Sequence, residues 1–380
     1  MAATTITVVD TLADVDPQQW NALAGDHPVL RYDFLHALHE TQCASKKTGW
    51  APYFVLLQRD GALAGAMPLY VKSHSRGEYV FDHSWAQAFH QHGIAYYPKL
   101  LSAIPFTPVT GPRLLAHTPQ DKALLAQAAL ELAQALSVSS LHILFPHESD
   151  VAALREAGFL LREGVQFHWD NAGYADFEAF LAALKNDKRK KIRQERRKVR
   201  DAGVSFRRLS GADVDAQTLA FFYDCYASTY ESHYSTPYLS LRFFRQILEK
   251  MPHNLLFVIA EQDGQPIAAA LNIVGGDAMY GRYWGTTKFV SGLHFETCYL
   301  QGIEHCIKAG IARFEGGAQG VHKMSRGLVP TATWSAHWIA DERFADAIAD
   351  FLRRETAGMD EYIEELEEHT PFKTPQPGVG

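Results

Sequence analysis

The sequence predicts a mixed α/β fold built from two tandem copies of one unit. FVLLQRDGALAGAM, which begins at Phe54, matches FVIAEQDGQPIAAA, which begins at Phe257, with a constant offset. Each segment has the pattern of a strand, an Asp-Gly turn and a second strand of small residues, which is typical of a tight hairpin. LHILF at 141–145 and ARFEG at 312–316 each follow an amphipathic helical pattern. Two copies of one α/β unit explain both matches.

The strand after each hairpin is predicted to repeat as well, because FDHSW ends at Trp85 and YGRYW ends at Trp284. Each copy is therefore expected to be a mixed sheet flanked by helices. We place the first domain at 1–170 and the second, which carries the candidate active site, at 204–370. Residues 175–203 between them are expected to form a connecting basic helix or helix pair, with a stop at Gly203. The tail at 371–380 is rich in proline and glycine, so it is expected to fray or lie along the surface.

Composition narrows the class of protein. The chain has 380 residues, of which 47% are hydrophobic and 21% charged, enough for two domains with their own cores. No apolar stretch approaches the roughly 20 residues that span a bilayer, and the start MAATTITVVD has no secretory pattern. A cytoplasmic protein without a membrane span is therefore expected. The four cysteines form no CxxC motif, which favours reduced thiols.

The net charge of −7 argues against broad nucleic-acid binding, so any anion site must be a local patch. The connecting segment contains such a patch, because residues 188–198 hold eight Lys or Arg and one acidic residue. Arg189, Arg193 and Arg197 are predicted to bind the phosphates of a cofactor or a nucleic-acid backbone. The alternative is a solvated helical face that binds nothing.

LHFETCYLQGIEHCIKAG, from Leu293 to Gly310, is predicted to be an amphipathic helix. Its apolar arc holds Phe295, Tyr299, Leu300, Ile303, Cys306 and Ile307, and its polar face holds Thr297, Gln301, Glu304, His305 and Lys308. Glu296 falls inside the apolar arc, in the first turn. Burial raises the pKa of such a carboxylate and the helix N-terminus lowers it, so Glu296 is a candidate general base. It could instead be a structural partner of Arg282 or His294.

GRYWGTT, at 281–287, places several candidate residues at the end of a strand before this helix. R-x-x-G-x-T is one residue away from the pyrophosphate-binding R/Q-x-x-G-x-G/A loop of acetyltransferases, where backbone amides hold phosphates. Arg282 and Gly285 are therefore candidate donor-binding residues. Tyr283 and Trp284 are candidate substrate contacts.

Residues 83–115 are rich in histidine, aromatic rings and proline. His83, His90 and His92 complete no standard metal spacing such as HExxH, so no metal is predicted. The open alternatives are satisfied polar packing and the wall of a substrate cleft, with His83 and Trp85 as the cleft candidates.

Two further features are expected to be structural. Phe222, Tyr226, Tyr230 and Tyr234 lie on one predicted helical stripe, and such stripes are more often core than pocket. Cys298 has no obvious base beside it, so an inert buried thiol is favoured over a nucleophile.

EGGAQGVHKMSRGLVP, at 315–330, follows a short apolar run and contains four glycines. Glycine permits positive φ and close backbone approach, and free N–H groups beside Lys323 and Arg326 suit an anion. The segment is either a plain surface turn or a cradle for a phosphate or an oxyanion.

These segments together resemble the FemAB-like family of predicted N-acyltransferases, whose members are similar to two fused GNAT (Gcn5-related acyltransferase) domains. The resemblance rests on the hairpins, GRYWG, LHFE, KKIRQERRK, FEGGAQGVHKMSRG, YYPKL and PFTPVTGPRLL, and covers nearly the whole chain. Relatives in the wider Fem superfamily join amino acids from aminoacyl-tRNA to peptidoglycan precursors. Their F-D-x-G strand end, followed by an aromatic residue and a lysine, maps onto Phe314, Glu315, Gly317, His322 and Lys323.

The resemblance implies a transferase that moves an acyl or aminoacyl group from an activated donor to a small-molecule or peptide amine. It implies Glu296 or His322 as the base, Lys323 as the oxyanion stabiliser, and Glu315 and Arg326 as substrate contacts. Glu315 replaces the usual Asp, and no long helical arm of the tRNA-using enzymes is visible. We therefore expect acyl-CoA as the donor, with aminoacyl-tRNA as the alternative. A non-catalytic peptidoglycan- or peptide-recognition protein remains a competing interpretation, and the sequence predicts no oligomeric state.

Overall fold

A computed structural model of the chain describes residues 3–318 and 320–373, and its fold is mixed α/β as predicted. The strands are β1 Thr4–Val9, β2 Trp50–Pro52, β3 Phe54–Arg59, β4 Ala62–Met67, β5 Tyr70–Lys72, β6 Lys99–Ser102, β7 Leu115–Ala116, β8 Ser140–Leu144, β9 Leu160–Asp170, β10 Val204–Ser210, β11 Leu255–Gln262, β12 Gln265–Gly275, β13 Ala278–Thr286, β14 Arg313–Glu315 and β15 Val329–Ile339.

The helices are α1 Pro17–Ala24, α2 Tyr32–Glu40, α3 His83–Gln91, α4 Pro119–Ala135, α5 Glu148–Glu156, α6 Phe177–Ala183, α7 Asn186–Asp201, α8 Ala216–Glu231, α9 Leu241–Lys250, α10 Leu293–Phe295, α11 Gln301–Ala309 and α12 Glu342–Glu368. A π-helical turn, Glu296–Leu300, joins α10 to α11. Short 3₁₀ turns cover Pro28–Leu30, Lys46–Thr48, Gly211–Asp213, Pro252–Asn254 and Val321–Arg326.

The chain divides into two compact units whose boundaries differ from the predicted sequential domains. The first unit comprises residues 1–164, 238–243 and 332–361, and the second comprises 165–237, 244–331 and 362–380. The segment at 175–203 therefore belongs to the second unit, and most of the C-terminal helix belongs to the first. Sequence similarity identifies the repeated parts but does not report which compact body a later segment joins.

Each unit contains its own ordered strands. In the first, β1-β3-β4-β7 form an antiparallel sheet, and β15-β8-β6-β5-β2 form a mixed one in which β6 and β8 are parallel. In the second, β10-β11-β12-β13 are antiparallel, β14 adds parallel to β13, and β9 pairs antiparallel with β14. β8 and β14 each follow a helix, as LHILF and ARFEG predicted.

The two predicted hairpins form with the same local details. Both turns, Asp60-Gly61 and Asp263-Gly264, have positive φ at both residues, at 49° and 81° in the first and 53° and 73° in the second. This conformation is the one that matches the strand twist in two-residue hairpins. The pairing register shifts at Leu57/Gln58 in the first hairpin and at the equivalent Ala260/Glu261 in the second. The internal repeat therefore extends from the sequence to an irregularity of the strands.

The predicted repeat of the tryptophan-ending strand is wrong. Trp284 lies in β13, but Trp85 lies in helix α3, which buries Trp85 and Phe89 on one face. A spacing of four residues places those two rings on the same side of a helix. Packing of this helical face thus overrides the short match between FDHSW and YGRYW.

Helix α7 is anchored to the second unit by two residues. Ile192 and Val199 are 0% and 1% exposed, and their spacing of seven places them on one face of the helix. α6 and α7 form the helix pair that the sequence predicted, with a break at Leu184. α7 therefore presents a narrow apolar stripe to its own unit, with charged side chains on either side.

The C-terminal tail begins against α6, where Phe372 forms an isolated bridge with Leu184. Residues 374–380 of the predicted tail lie outside the described residues. In the described part of the chain, no helix has the length and apolar character needed to cross a membrane.

Candidate functional site

The segment at 293–309 is one continuous helix interrupted by a π turn that starts at Glu296. A π turn inserts an extra residue into the helical repeat and is frequent at functional sites. It also changes which residues face inward. Thr297 and Gln301, predicted on the polar face, are 0% and 5% exposed. That part of the prediction is wrong because a regular 100° wheel cannot represent the extra residue and α7 covers this side.

Glu296 is buried and held on one oxygen. Its Oε1 accepts hydrogen bonds from Arg196 Nε at 3.1 Å and from Gln301 Nε2 at 2.7 Å, and it lies 3.0 Å from a second guanidinium nitrogen of Arg196 in an ion pair. Its Oε2 is buried and has no hydrogen-bond partner among the described residues. Burial raises the pKa of Glu296, and the Arg196 charge opposes that rise. The observed ion-pair partner is Arg196, where the sequence suggested Arg282 or His294.

Two adjacent residues of α7, Glu195 and Arg196, bind side chains that follow β14 and side chains of the helix at 293–309. Glu195 accepts from one guanidinium nitrogen of Arg326 at 2.9 and 2.8 Å, and Arg196 also donates to Glu304 at 2.8 Å. The Arg326 guanidinium lies 3.5 Å from the centre of the Phe295 ring. The basic helix thus fixes both the π turn and the glycine-rich segment that follows β14.

We call residues 316–327 the glycine loop. Gly317, Gly320 and Gly327 have φ of 79°, 118° and 92°, in the region that other residues rarely adopt. Lys323 is 2% exposed, and its Nζ donates to the carbonyl oxygens of Gly317 at 2.8 Å and Ala318 at 3.2 Å. The loop therefore folds around a buried lysine.

The Lys323 ammonium has three N–H donors, and the two carbonyl bonds leave one donor without a partner among the described residues. Burial and the neighbouring charge of Arg282 lower the pKa of Lys323 to about 8. The ammonium is thus charged at neutral pH and retains one donor for an incoming oxygen.

His322 lies beside Lys323 in the same 3₁₀ turn. Its ring centre is 5.7 Å from that of Phe295 and 6.5 Å from that of Tyr299. Partial burial and the charges of Lys323 and Arg326 lower the pKa of His322. The imidazole is therefore neutral at pH 7 and can accept a proton.

Two candidate catalytic groups are neighbours, and the third has its own partners. His322 and Lys323 are consecutive residues of the 3₁₀ turn at 321–326. Glu296 is bound instead by Arg196 and Gln301.

The loop proposed for phosphate binding is part of β13. Arg282, Tyr283, Trp284 and Gly285 all lie within the strand. Tyr283, Trp284 and Gly285 pair with β12, and Arg282 falls at a register shift of that pairing. The Tyr283 ring packs 5.2 Å from that of Tyr226, as a core residue. A Cβ on Gly285 would lie 1.7 Å from the carbonyl oxygen of Cys225. Close packing of α8 on the strand thus requires glycine at this position without any ligand.

Replacement of Gly285 by Ala is expected to destabilise the protein by about 3 kcal/mol or more, because the methyl group meets backbone that cannot shift locally. Thermal unfolding measures this loss. Gly358→Ala on α12, where nothing lies within 4 Å of the added atom, is the matched control and is expected to be neutral or slightly stabilising. A Gly285→Ala variant with normal stability and weaker donor binding would support the phosphate-loop interpretation instead.

Glu315 lies on β14 between β13 and β9 and is 3% exposed. It accepts from Arg313 Nε at 3.2 Å and lies 3.9 Å from His168 Nε2. Burial raises the pKa of Glu315 to about 7, and burial lowers that of His168 to about 3. Glu315 is thus a buried carboxyl at the start of the glycine loop, bound by Arg313 on one oxygen, while its Oε2 has no hydrogen-bond partner among the described residues.

His83 and Trp85, the candidate cleft residues, belong to the first unit. His83 is exposed, and its ring stacks at 5.8 Å on Phe81. Trp85 is 5% exposed and packs against His337 at 4.9 Å and His142 at 6.0 Å between ring centres. Trp85 is therefore a core residue of that unit.

A buried polar network of the first unit was not foreseen. Lys99 donates to Glu78 at 2.8 Å and to Asp82, which also accepts from Tyr96 at 2.6 Å. The Tyr96 hydroxyl lies 3.1 Å from His142. Its members are separated by up to 64 positions in sequence, so no local pattern could have indicated it.

The predicted aromatic stripe is only partly helical. Phe222 and Tyr226 are buried on α8, as expected of core residues. Tyr234 lies beyond the end of α8 with φ of 53° and is fully exposed. Burial raises the pKa of the Cys298 thiol, which agrees with an inert rather than a nucleophilic cysteine.

Three solved structures share this fold. FemX matches with a TM-score of 0.56 and 12% identity over 90% of this chain and 100% of its own. L-PGS from Bacillus licheniformis matches with a TM-score of 0.54 and 10% identity over 89% of this chain and 96% of its own. A conserved protein of unknown function from Bacteroides thetaiotaomicron matches with a TM-score of 0.52 and 13% identity over 88% of this chain and 99% of its own. At these identities the likeness establishes the fold alone.

The family follows from the sequence match. The FemAB-like family model, described as peptidoglycan biosynthesis/recognition, matches residues 11–374. The chain belongs to the FemAB-like family, as the motifs predicted. Comparison with curated protein sequences returned no match.

Proposed function

We propose that this protein is a transferase that moves an acyl or aminoacyl group from an activated donor to an amine acceptor. The observation that carries the proposal is Lys323, a buried ammonium with one unused N–H in a loop whose backbone requires glycine. Membership of the FemAB-like family and the fold shared with FemX support the same class of protein.

The transfer step needs a base and an oxyanion stabiliser. The acceptor amine attacks the donor carbonyl carbon, and the negative charge that forms on the carbonyl oxygen is stabilised by the free Lys323 N–H. His322, neutral at pH 7, accepts the proton that the attacking nitrogen loses. When the tetrahedral intermediate collapses, the bond to the donor's leaving group breaks and the amide remains. The leaving group takes a proton from His322 or water.

His322 is preferred to Glu296 as the base because it lies next to Lys323 in the same 3₁₀ turn. Glu296 is instead paired with Arg196. Arg326 and Glu195 position the loop, since their two hydrogen bonds join it to α7.

Acyl-CoA is the donor that we propose to test first, with aminoacyl-tRNA as the second. Both carry phosphates, and the α7 side chains Arg189, Lys190 and Lys191 form no ion pair with a described residue. These cations are suited to a phosphate-bearing donor. Incubation with each donor and a panel of amines, followed by mass spectrometry, tests the proposal. Amide formation with either donor supports a transferase, and binding of a peptidoglycan fragment without turnover of either would favour the recognition protein.

Replacement of Arg189, Lys190 and Lys191 by Gln is expected to weaken donor binding more at low salt than at high salt, because the ionic attraction is screened. Titration calorimetry at two salt concentrations measures the difference. The control exchanges Arg343, Arg353 and Arg354 on α12 for Gln, which changes the net charge equally. Donor affinity equal to that of the control at both salt levels would make α7 a solvated helix.

A further inference from the structure

A cavity of about 450 Å³ lies in the second unit between α7, β10 and the π turn. Cavities of about 300 to 1,000 Å³ are the usual size of small-ligand sites. Its lining side chains come from α6, α7, β10, the π turn and the start of α11. Lys323 and His322 are not among them, so the transfer chemistry proposed above does not account for this cavity.

The charges around the cavity favour an anion. Four arginines and two glutamates line it, which leaves a net charge of +2. Arg193 is paired with Glu178, and Arg196 is paired with Glu296 and Glu304. Arg197 forms no ion pair with any described residue, and Arg200 reaches only Asp201, at 4.0 Å. Two guanidinium groups are thus available to bind carboxylates or phosphates.

One side chain that lines the cavity, Glu296, has an oxygen that lacks a hydrogen-bond donor. Glu296 is 3% exposed, and its Oε2 has no partner among the described residues. A buried carboxylate oxygen without a donor is costly. A ligand ammonium can supply that donor, whereas a phosphate would repel the carboxylate.

We propose that this cavity binds a small dicarboxylic amino acid, with its ammonium group at Glu296 and its two carboxylates at Arg197 and Arg200. The two arginines without a glutamate partner match two carboxylates, and the unsatisfied Glu296 oxygen matches one ammonium. Leu181, Val199, Val204 and Phe206 offer apolar contact to the short carbon chain between them.

The assignment distinguishes this cavity from a phosphate pocket. The sequence placed Arg193 and Arg197 in a clamp for donor phosphates, but the structure puts Glu178 and Glu296 beside them. Two carboxylates in a phosphate site would oppose binding unless they were protonated. A ligand with one ammonium group and two carboxylates can pair with both the glutamate and the arginines of the lining.

Four probe compounds test the proposal by titration calorimetry on the full chain: L-glutamate, D-glutamate, glutarate and γ-aminobutyrate. Glutarate lacks the ammonium group, and γ-aminobutyrate has a single carboxylate. At least one enantiomer of glutamate is expected to bind at least ten times more tightly than either analogue. The absence of binding by both enantiomers would overturn the proposal, and so would equal affinity for glutarate. The assay requires no turnover, so its outcome is independent of the proposed transfer activity.

Variants locate the site. Joint replacement of Arg197 and Arg200 by Gln is expected to weaken glutamate binding at least tenfold. Glu296→Gln is expected to bring the affinities for glutamate and glutarate together. Arg245→Gln, on α9 of the same unit and outside the cavity lining, is the control and is expected to bind glutamate normally. Glutamate binding that survives the double replacement would place the ligand elsewhere.

Discussion

Replacement of Lys323 by Met is expected to lower kcat/KM by a factor of about 10² to 10³, the usual cost of removing one donor from an oxyanion site. Met fills a similar volume but cannot donate the remaining N–H to the carbonyl oxygen. It also removes the bonds to Gly317 and Ala318, so unfolding must be measured on the same preparation. Loss of turnover with a cooperative unfolding transition identifies the chemical role, and full turnover would exclude Lys323 from the mechanism.

The Lys323→Arg variant keeps the positive charge at position 323, so it tests the role of that charge in activity apart from any effect on folding. Burial lowers the pKa of Lys323 to about 8, so the wild-type protein loses the ammonium, and with it activity, as the pH rises through 8. Arginine remains charged there. With one acceptor for both proteins, the alkaline loss of kcat/KM is expected in the wild type and absent in Lys323→Arg. An identical alkaline limb in the two proteins would assign it to the acceptor or another group.

The fold was predictable where local patterns decide it. The Asp-Gly hairpins depend on two turn residues and alternating strands, and both formed with their registers repeated. FDHSW and YGRYW share only an aromatic residue, a base and the final tryptophan. This short match did not indicate the helix, which depends on Phe89 being buried on the same helical face as Trp85. The extent of each compact unit depends on contacts distant in sequence, which place residues 332–361 with the first unit.

The sequence indicated that Glu296 is buried and that 316–327 is a glycine-dependent loop, but it did not indicate how the candidate residues are arranged. The wheel correctly placed Glu296 on a buried face, yet it could not anticipate the π turn or a partner 100 positions away, Arg196. The motif that indicated Lys323 contains the glycines of the glycine loop. Glycine at these positions indicates directly that the backbone adopts positive φ there. Gly285 also matched a motif, but its glycine is explained by contact with Cys225. Glycine alone therefore does not distinguish a ligand site from close packing.

Replacement of His322 by Gln is expected to lower turnover by a factor of about 10² to 10⁴, the range for removal of a general base. The His322 side chain lies at the surface and is only partly covered, so the melting temperature is expected to stay near that of the wild type. In the wild type, kcat/KM is expected to fall as the pH drops through the His322 pKa, which lies below its usual value. The Gln variant is expected to lose this acidic limb.

Glu296→Gln tests whether Glu296 is the base instead of His322. If Glu296 is structural, this change is expected to lower stability more than turnover, the reverse of the result expected for His322→Gln. Gln can still accept from Arg196 and Gln301, but the change removes a charge from a buried ion pair. Arg196 keeps Glu304 as a partner, so the expected loss is about 1 to 3 kcal/mol rather than the full cost of an isolated buried charge. A lower melting temperature with less than a tenfold loss of turnover would identify Glu296 as the residue that holds α7 to the π turn. A 10²-fold loss at unchanged melting temperature, with His322→Gln still active, would instead make Glu296 the base.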